Sequence, residues 1–191
     1  MNANEKKNSD EYLVLVDEIT SAFTQEMKQK YGLHCWASGG RMPYDVEELD
    51  LSFSIQGPFT IEEARRLEVQ AITKLLDLVN QHEKIRPYLR EYPFKSDRVC
   101  ISISFPTQTG ERPLDGSVAS VLNARNKVIY KKAAIVMTKP HPHTDIRDPN
   151  NPKTEMIGGG PKVKLITIKE EPYEDALNIV KSEEKSFDES P

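Results

Sequence analysis

The chain has 191 residues, 26 Lys and Arg against 30 Asp and Glu, and a mass of 21.7 kDa, which fits one domain with its own core. A net charge of −4 with no long basic run argues against nucleic acid as partner, because counterion release from phosphates needs a cationic face. No apolar run approaches the roughly 18 residues of a membrane span, and no signal-peptide apolar region opens the chain.

Hydrophobic residues make up 37%, and the polarity gathers at the two ends and between residues 138 and 161. The start is either natural or follows a removed export signal, so the chain reads as soluble, cytoplasmic or exported. Cys35 and Cys100 each fall inside a predicted strand, where a free Cys packs as a small apolar group. A bridge between them would need neighbouring strands and an oxidising compartment.

Residues 1–9 are polar and read as disordered. From residue 10 a helical period begins, with Leu13, Val16, Ile19, Phe23, Met27 and Tyr31 on one stripe and Leu15 off it. Gly32 supplies the stop. Residues 33–38 read as a short strand ending at a turn or bulge made by Gly39 and Gly40. A phosphate cradle is disfavoured there, since no helix start follows the glycines.

Residues 49–55 alternate, with Leu49, Leu51, Phe53 and Ile55 inward and Asp50, Ser52 and Ser54 outward. Thr60 and Glu63 form a capping box that opens a long helix. Its apolar stripe is widest at Ala71, Ile72, Leu75, Leu76, Leu78 and Val79, which predicts cover on more than one side. Glu62, Glu63, Arg65, Arg66 and Glu68 lie at i,i+3 and i,i+4 spacings and read as a solvated charged face.

Pro87 sits at the first position of a short helical turn over 85–90, and Tyr92 is extended ahead of Pro93. Val99, Ile101, Ile103 and Phe105 alternate with Cys100, Ser102 and Ser104 as a second half-buried strand. Residues 117–122 and 127–137 read as strands joined by a turn over 123–126. Residues 138–161 read as a long irregular loop, followed by a strand over 163–168. Pro172 opens a last helix carrying Tyr173, Ala176, Leu177, Ile179 and Val180, and residues 183–191 read as a disordered acidic tail. The expected fold is α+β, in the order α-β-β-α-β-β-β-β-α. One mixed or antiparallel sheet of about six strands packs against helices, with residues 10–182 as a single domain.

His141, His143 and Asp145 form the only local cluster of metal-ligand types. A structural zinc site needs four ligands, and Pro142 stiffens the pair without aiming both rings at one point. The plainer reading is a polar loop. Cys35 beside His34 makes no dyad, since adjacent strand residues point to opposite faces. No phosphate-loop, dinucleotide, metalloprotease or nucleophile-elbow motif occurs. No cofactor is implied. Arg86, Tyr88, Arg90, Tyr92 and Phe94 form a candidate surface for a protein or peptide, with the aromatics as anchors and Lys95 and Arg98 nearby. The competing reading is that the aromatics pin the segment to the sheet while the charges stay wet.

The run Thr60-Ile61-Glu62-Glu63-Ala64-Arg65-Arg66-Leu67, then Ile85-Arg86-Pro87-Tyr88-Leu89 and Tyr92-Pro93-Phe94, resembles an uncharacterised bacterial family. Tyr31-Gly32-Leu33, Gly39-Gly40-Arg41-Met42, Leu51-Ser52-Phe53 and the stretch from Glu171 to Leu177 extend the resemblance over about residues 10–182. Members are small, often exported or lipoprotein-like, and have no assigned activity, so the resemblance implies an envelope location and no catalytic residues. After the glycines this chain reads Arg41, Met42 and Pro43, where the family pattern is more apolar. The expectation is a non-enzymatic bacterial binding domain. The alternative is a metal-dependent enzyme built on His141 and His143.

Overall fold

A computed structural model describes residues 11–145, 153–157 and 159–188; the side chains of 143–145, 153–157 and 186–188 lie outside that description. The described residues form an α+β fold with three helices and a single mixed six-stranded sheet. Helix α1 is Glu11–Tyr31, α2 is Ile61–Gln81 and α3 is Tyr173–Asp188. The strands are β1 (His34–Arg41), β2 (Glu48–Ser54), β3 (Val99–Ser104), β4 (Ser120–Ala124), β5 (Lys127–Thr138) and β8 (Gly160–Pro172). They are ordered β1-β2-β3-β4-β5-β8, with β2 and β3 as the parallel pair joined through α2 and every other pair antiparallel. Strands β6 (His141–Asp145) and β7 (Lys153–Ile157) make a separate two-stranded ladder.

The alternation of β2 and β3 decides where the core lies. Leu49, Leu51, Phe53, Val99, Ile101 and Ile103 are all buried, and the helices pack on that face. Helix α2 crosses β3 and β4, flanked by α1 over β1 and by α3 over β5 and β8. Phe23 of α1 meets Phe53 of β2 edge to face, the geometry that aromatic quadrupoles favour. The interleaved residues Ser52, Ser102 and Ser104 stay half-exposed on the opposite face, and Asp50 is exposed there.

The capping box forms as expected. The Thr60 N–H donates to Glu63 Oε2 at 2.8 Å, and the Glu63 N–H donates to Thr60 Oγ1 at 3.2 Å. Gly32 adopts φ +71° at the end of α1. Several expectations are corrected. Helix α1 buries Tyr12, Leu15, Val16, Ile19, Thr20, Phe23 and Met27, so Leu15 faces the core and Leu13 faces solvent. The true stripe includes Thr20, whose hydroxyl is satisfied by the Val16 carbonyl at 2.8 Å.

Gly39 and Gly40 lie inside β1, paired with Asp50 and Leu49, and do not end it. A Cβ on Gly40 would fall 2.1 Å from the Glu48 carbonyl oxygen, so close backbone approach rather than a turn accounts for the glycine. The stretch expected as an irregular loop holds β6, β7 and the start of β8. Strand β4 starts at Ser120, three residues after the expected start at Ser117. The tail expected to be disordered continues α3 as far as Asp188, with Arg66 Nη2 donating to Glu183 at 3.0 Å and Gln70 to Glu184 at 3.2 Å. Cys35 and Cys100 are both free. Their strand partners, Phe53 and Asp50, lie three residues apart along β2.

Candidate interaction surface

The segment 85–98 is held by its own contacts. Phe94 is only 2% exposed and belongs to the core. Asn80 clamps it from the end of α2, accepting from the Phe94 N–H at 2.7 Å and donating to the Phe94 carbonyl at 3.0 Å. Arg86 donates to the Asn80 carbonyl at 3.2 Å and stacks its guanidinium 5.0 Å from the centre of the Tyr92 ring. The Tyr88 hydroxyl donates to Glu11 at 3.1 Å. Arg90 forks onto Asp45 at 2.6 and 2.8 Å and also meets Glu47. Lys95 and Arg98 both pair with Glu91 at 2.8 Å. Of the five residues predicted to form a surface, Tyr92 is 55% exposed and Arg90 is exposed but paired with Asp45, whereas Arg86 and Tyr88 are half-buried and Phe94 is buried.

His141 is exposed in β6. The side chains of His143 and Asp145 lie outside the described residues. Among the described residues no group of three His, Cys, Asp or Glu side chains is placed to hold a metal ion.

The charged face expected on α2 needs correction. Arg65 and Glu68 are buried, whereas Glu62 and Glu63 are exposed. Arg65 Nε donates to Glu171 Oε1 at 2.7 Å and its Nη2 to Oε2 at 3.3 Å, while the Tyr130 hydroxyl donates to Oε1 at 2.5 Å. Burial would raise the Glu171 carboxyl, but these donors and Lys169 outweigh it and hold the group at about 2. Burial, followed by the hydrogen bond to Glu171, pushes the Tyr130 hydroxyl up. Glu68 has no such set of donors. Burial raises its carboxyl well above the ordinary 4.5, a hydrogen bond from the Asn123 backbone offsetting only part of the rise, which favours the neutral form. A spacing of three and four runs through Arg65, Glu68, Ile72, Leu75 and Val79, the signal that marks both charged residues as inward-facing.

A surface with apolar content lies elsewhere, on β5 and β8. Strand β4 ends its pairing with β5 at Ser120 and Lys131, yet β5 runs on to Thr138. The seven residues 132–138, paired only with β8, extend about 23 Å past the sheet at 3.3 Å per residue. We call this ribbon the arm. Its register pairs Ala133 with Leu165, Ile135 with Val163 and Met137 with Pro161, all on one face. Ile135, Met137 and Val163 are 61%, 75% and 43% exposed. Lys132, Lys162 and Lys164 lie on the other face, beside Ala134, Val136 and Ile166.

A register shift sets this arrangement. Tyr130 pairs with Lys169, but Lys131 pairs with Thr167, so Ile168 is an extra residue in β8. Without it, Val163 and Leu165 would share the helix-covered face with Lys169 and Glu171. With it they face the open side, continuous with the serine-bearing face of β2 and β3. At the far end of the arm, Gly159 adopts φ +90°, and a Cβ there would fall 2.9 Å from Pro140.

A cleft of about 750 Å³ lies between α2, α3 and the β4–β5 turn, bordered by Thr73, Asp77, Ser96, Arg125, Tyr173 and Lys181. Its border carries both acidic and basic side chains, and the Thr73 and Tyr173 hydroxyls are 3.2 Å apart, bonded to each other. No helix among the described residues is long and apolar enough to cross a membrane. Compared with known family profiles, curated proteins and solved structures, the chain matches none of them.

Proposed function

We propose that this protein is a non-enzymatic interaction domain whose contact surface is the apolar face of the arm. The carrying observation is the exposure of Ile135, Met137 and Val163 side by side on one face of the ribbon, beyond the buried Ala133. Large apolar residues exposed singly are ordinary, but a contiguous set on one face marks a contact site. The buried charges favour the same reading, because Arg65, Glu171 and Tyr130 are matched to one another inside the core and offer nothing to a substrate. The resemblance described above is the support for placing the domain in a bacterium and at the envelope.

A photoreactive amino acid placed at Met137 in the expressed chain tests the reading. A covalent adduct with another macromolecule is expected, and Ile135→Asp should abolish it. An adduct from position 36 on the opposite sheet edge, where Trp36 is also exposed, with none from position 137, would overturn the arm as the contact surface.

A further inference from the structure

Resting on that reading, we infer that the partner of the arm is a second copy of this chain, each arm lying across the open sheet face of the other protomer. Charge is the first argument. The two strands of the arm, residues 132–138 and 160–166, hold Lys132, Lys162 and Lys164 and no Asp or Glu, a net of +3, while the rest of the chain holds 23 Lys and Arg against 30 Asp and Glu, a net of −7. The arm is thus a cation carried by an acidic body. It projects away from its own body, and a second body offers the complementary field.

Area is the second argument. The two strands of the arm, about 23 Å long and roughly 10 Å wide, present a face on the order of 250 Å². One arm on one partner would bury about 500 Å² in total, below the roughly 1,000 Å² that a specific interface needs. A two-fold exchange repeats the same contact and doubles the total to about 1,000 Å². Reciprocity therefore makes a contact of this width sufficient.

The receiving face is the third argument. Small side chains on the open face of β2 and β3 leave a flat floor for bulky ones. Ser102 donates to Ser52 Oγ at 3.0 Å and Ser104 to the Phe53 carbonyl at 3.1 Å. Ser102 and Ser104 are thus satisfied donors, so Ile135, Met137 and Val163 can cover these two hydroxyls without stranding their protons.

Sedimentation and light scattering of the full chain, from low to high micromolar concentration, test the inference. A concentration-dependent species of twice the 21.7 kDa chain mass is expected. The pair Ile135→Asp and Val163→Asp should raise the dimer dissociation constant at least tenfold with unchanged circular dichroism. The pair Lys162→Glu and Lys164→Glu should weaken the dimer at low salt, with the difference shrinking at high salt. A wild-type chain that stays monomeric throughout, or a dimer indifferent to both pairs of substitutions, overturns the inference. The adduct from position 137 separates the two readings. Linkage to residues 48–54 or 100–104 of a second copy supports both. Linkage to a different macromolecule keeps the interaction reading and overturns the second copy. No adduct from position 137 overturns both.

Discussion

The body and the arm are both made of alternating strands, yet the body buries one face of each inner strand while the distal arm is open on both. In the body, Leu51 and Ile101 lie under the helix layer and are almost inaccessible. In the arm, Ile135 and Val163 are paired in the same kind of ladder and remain exposed. Backbone pairing is thus not what separates them; the helix layer is. The difference teaches that stability and contact surface have been assigned to different parts of one continuous sheet. Burial fixes the body, and the absence of burial leaves the arm available.

Substitutions can break or sharpen this contrast. The largest effect is expected at the buried ion pair. Arg65→Met leaves Glu171 in the core without its main counter-charge and should cost about 3–5 kcal/mol in urea unfolding. Adding Glu171→Leu should restore part of the loss, whereas strictly additive costs would show that the two residues do not act together. Leu75→Ala, at a fully buried site under the sheet, should cost about 2–5 kcal/mol by the same measurement.

Next come the pH effects, whose signs are opposite. Glu171 is held at about 2 against an ordinary 4.5, so its contribution is complete above pH 4.5 and is lost as pH falls toward 2. Glu68 is raised, so the folded state holds its proton more tightly than the unfolded chain. Stability then falls as pH rises above 4.5 and through the raised value. Melting temperatures between pH 5 and 9 should decline less steeply in Glu68→Gln than in the wild type. Equal slopes would mean that Glu68 is not the group held neutral. The smallest effect belongs to the arm. Ile135→Ala should change stability by less than about 0.5 kcal/mol, since the side chain is largely in water already.

The legible parts of the fold were those whose cause is local. The alternations over 49–55 and 99–105, the capping box at Thr60 and the stop at Gly32 each depend on residues a few positions apart, and each formed. The inward placement of Arg65 and Glu68 is legible in their spacing with Ile72, Leu75 and Val79, but the partner that makes burial of Arg65 tolerable is not. Glu171 lies 106 positions from Arg65, and no local pattern reports it. Strands β6 and β7 were hidden by Pro142 within β6 and Pro152 just ahead of β7, which break the usual strand signature where a two-stranded ladder still tolerates them. The arm's apolar face was illegible for a subtler reason. Residues 163–168 read only as a strand, and the extra Ile168 decides that Val163 and Leu165 face outward.

The distance between Arg65 and Glu171 also bears on how the chain is made. Synthesis delivers α1, β1, β2 and α2 long before the carboxylate that neutralises the α2 guanidinium. Until β8 leaves the ribosome, closing α2 onto the nascent sheet would strand a charge, so that face of the helix has reason to stay hydrated. The last strand and α3 therefore act as a completion signal. A ribosome-bound chain ending before residue 171 should remain open to protease within α2, and one extended past residue 188, beyond the exit tunnel, should become protected in a single step.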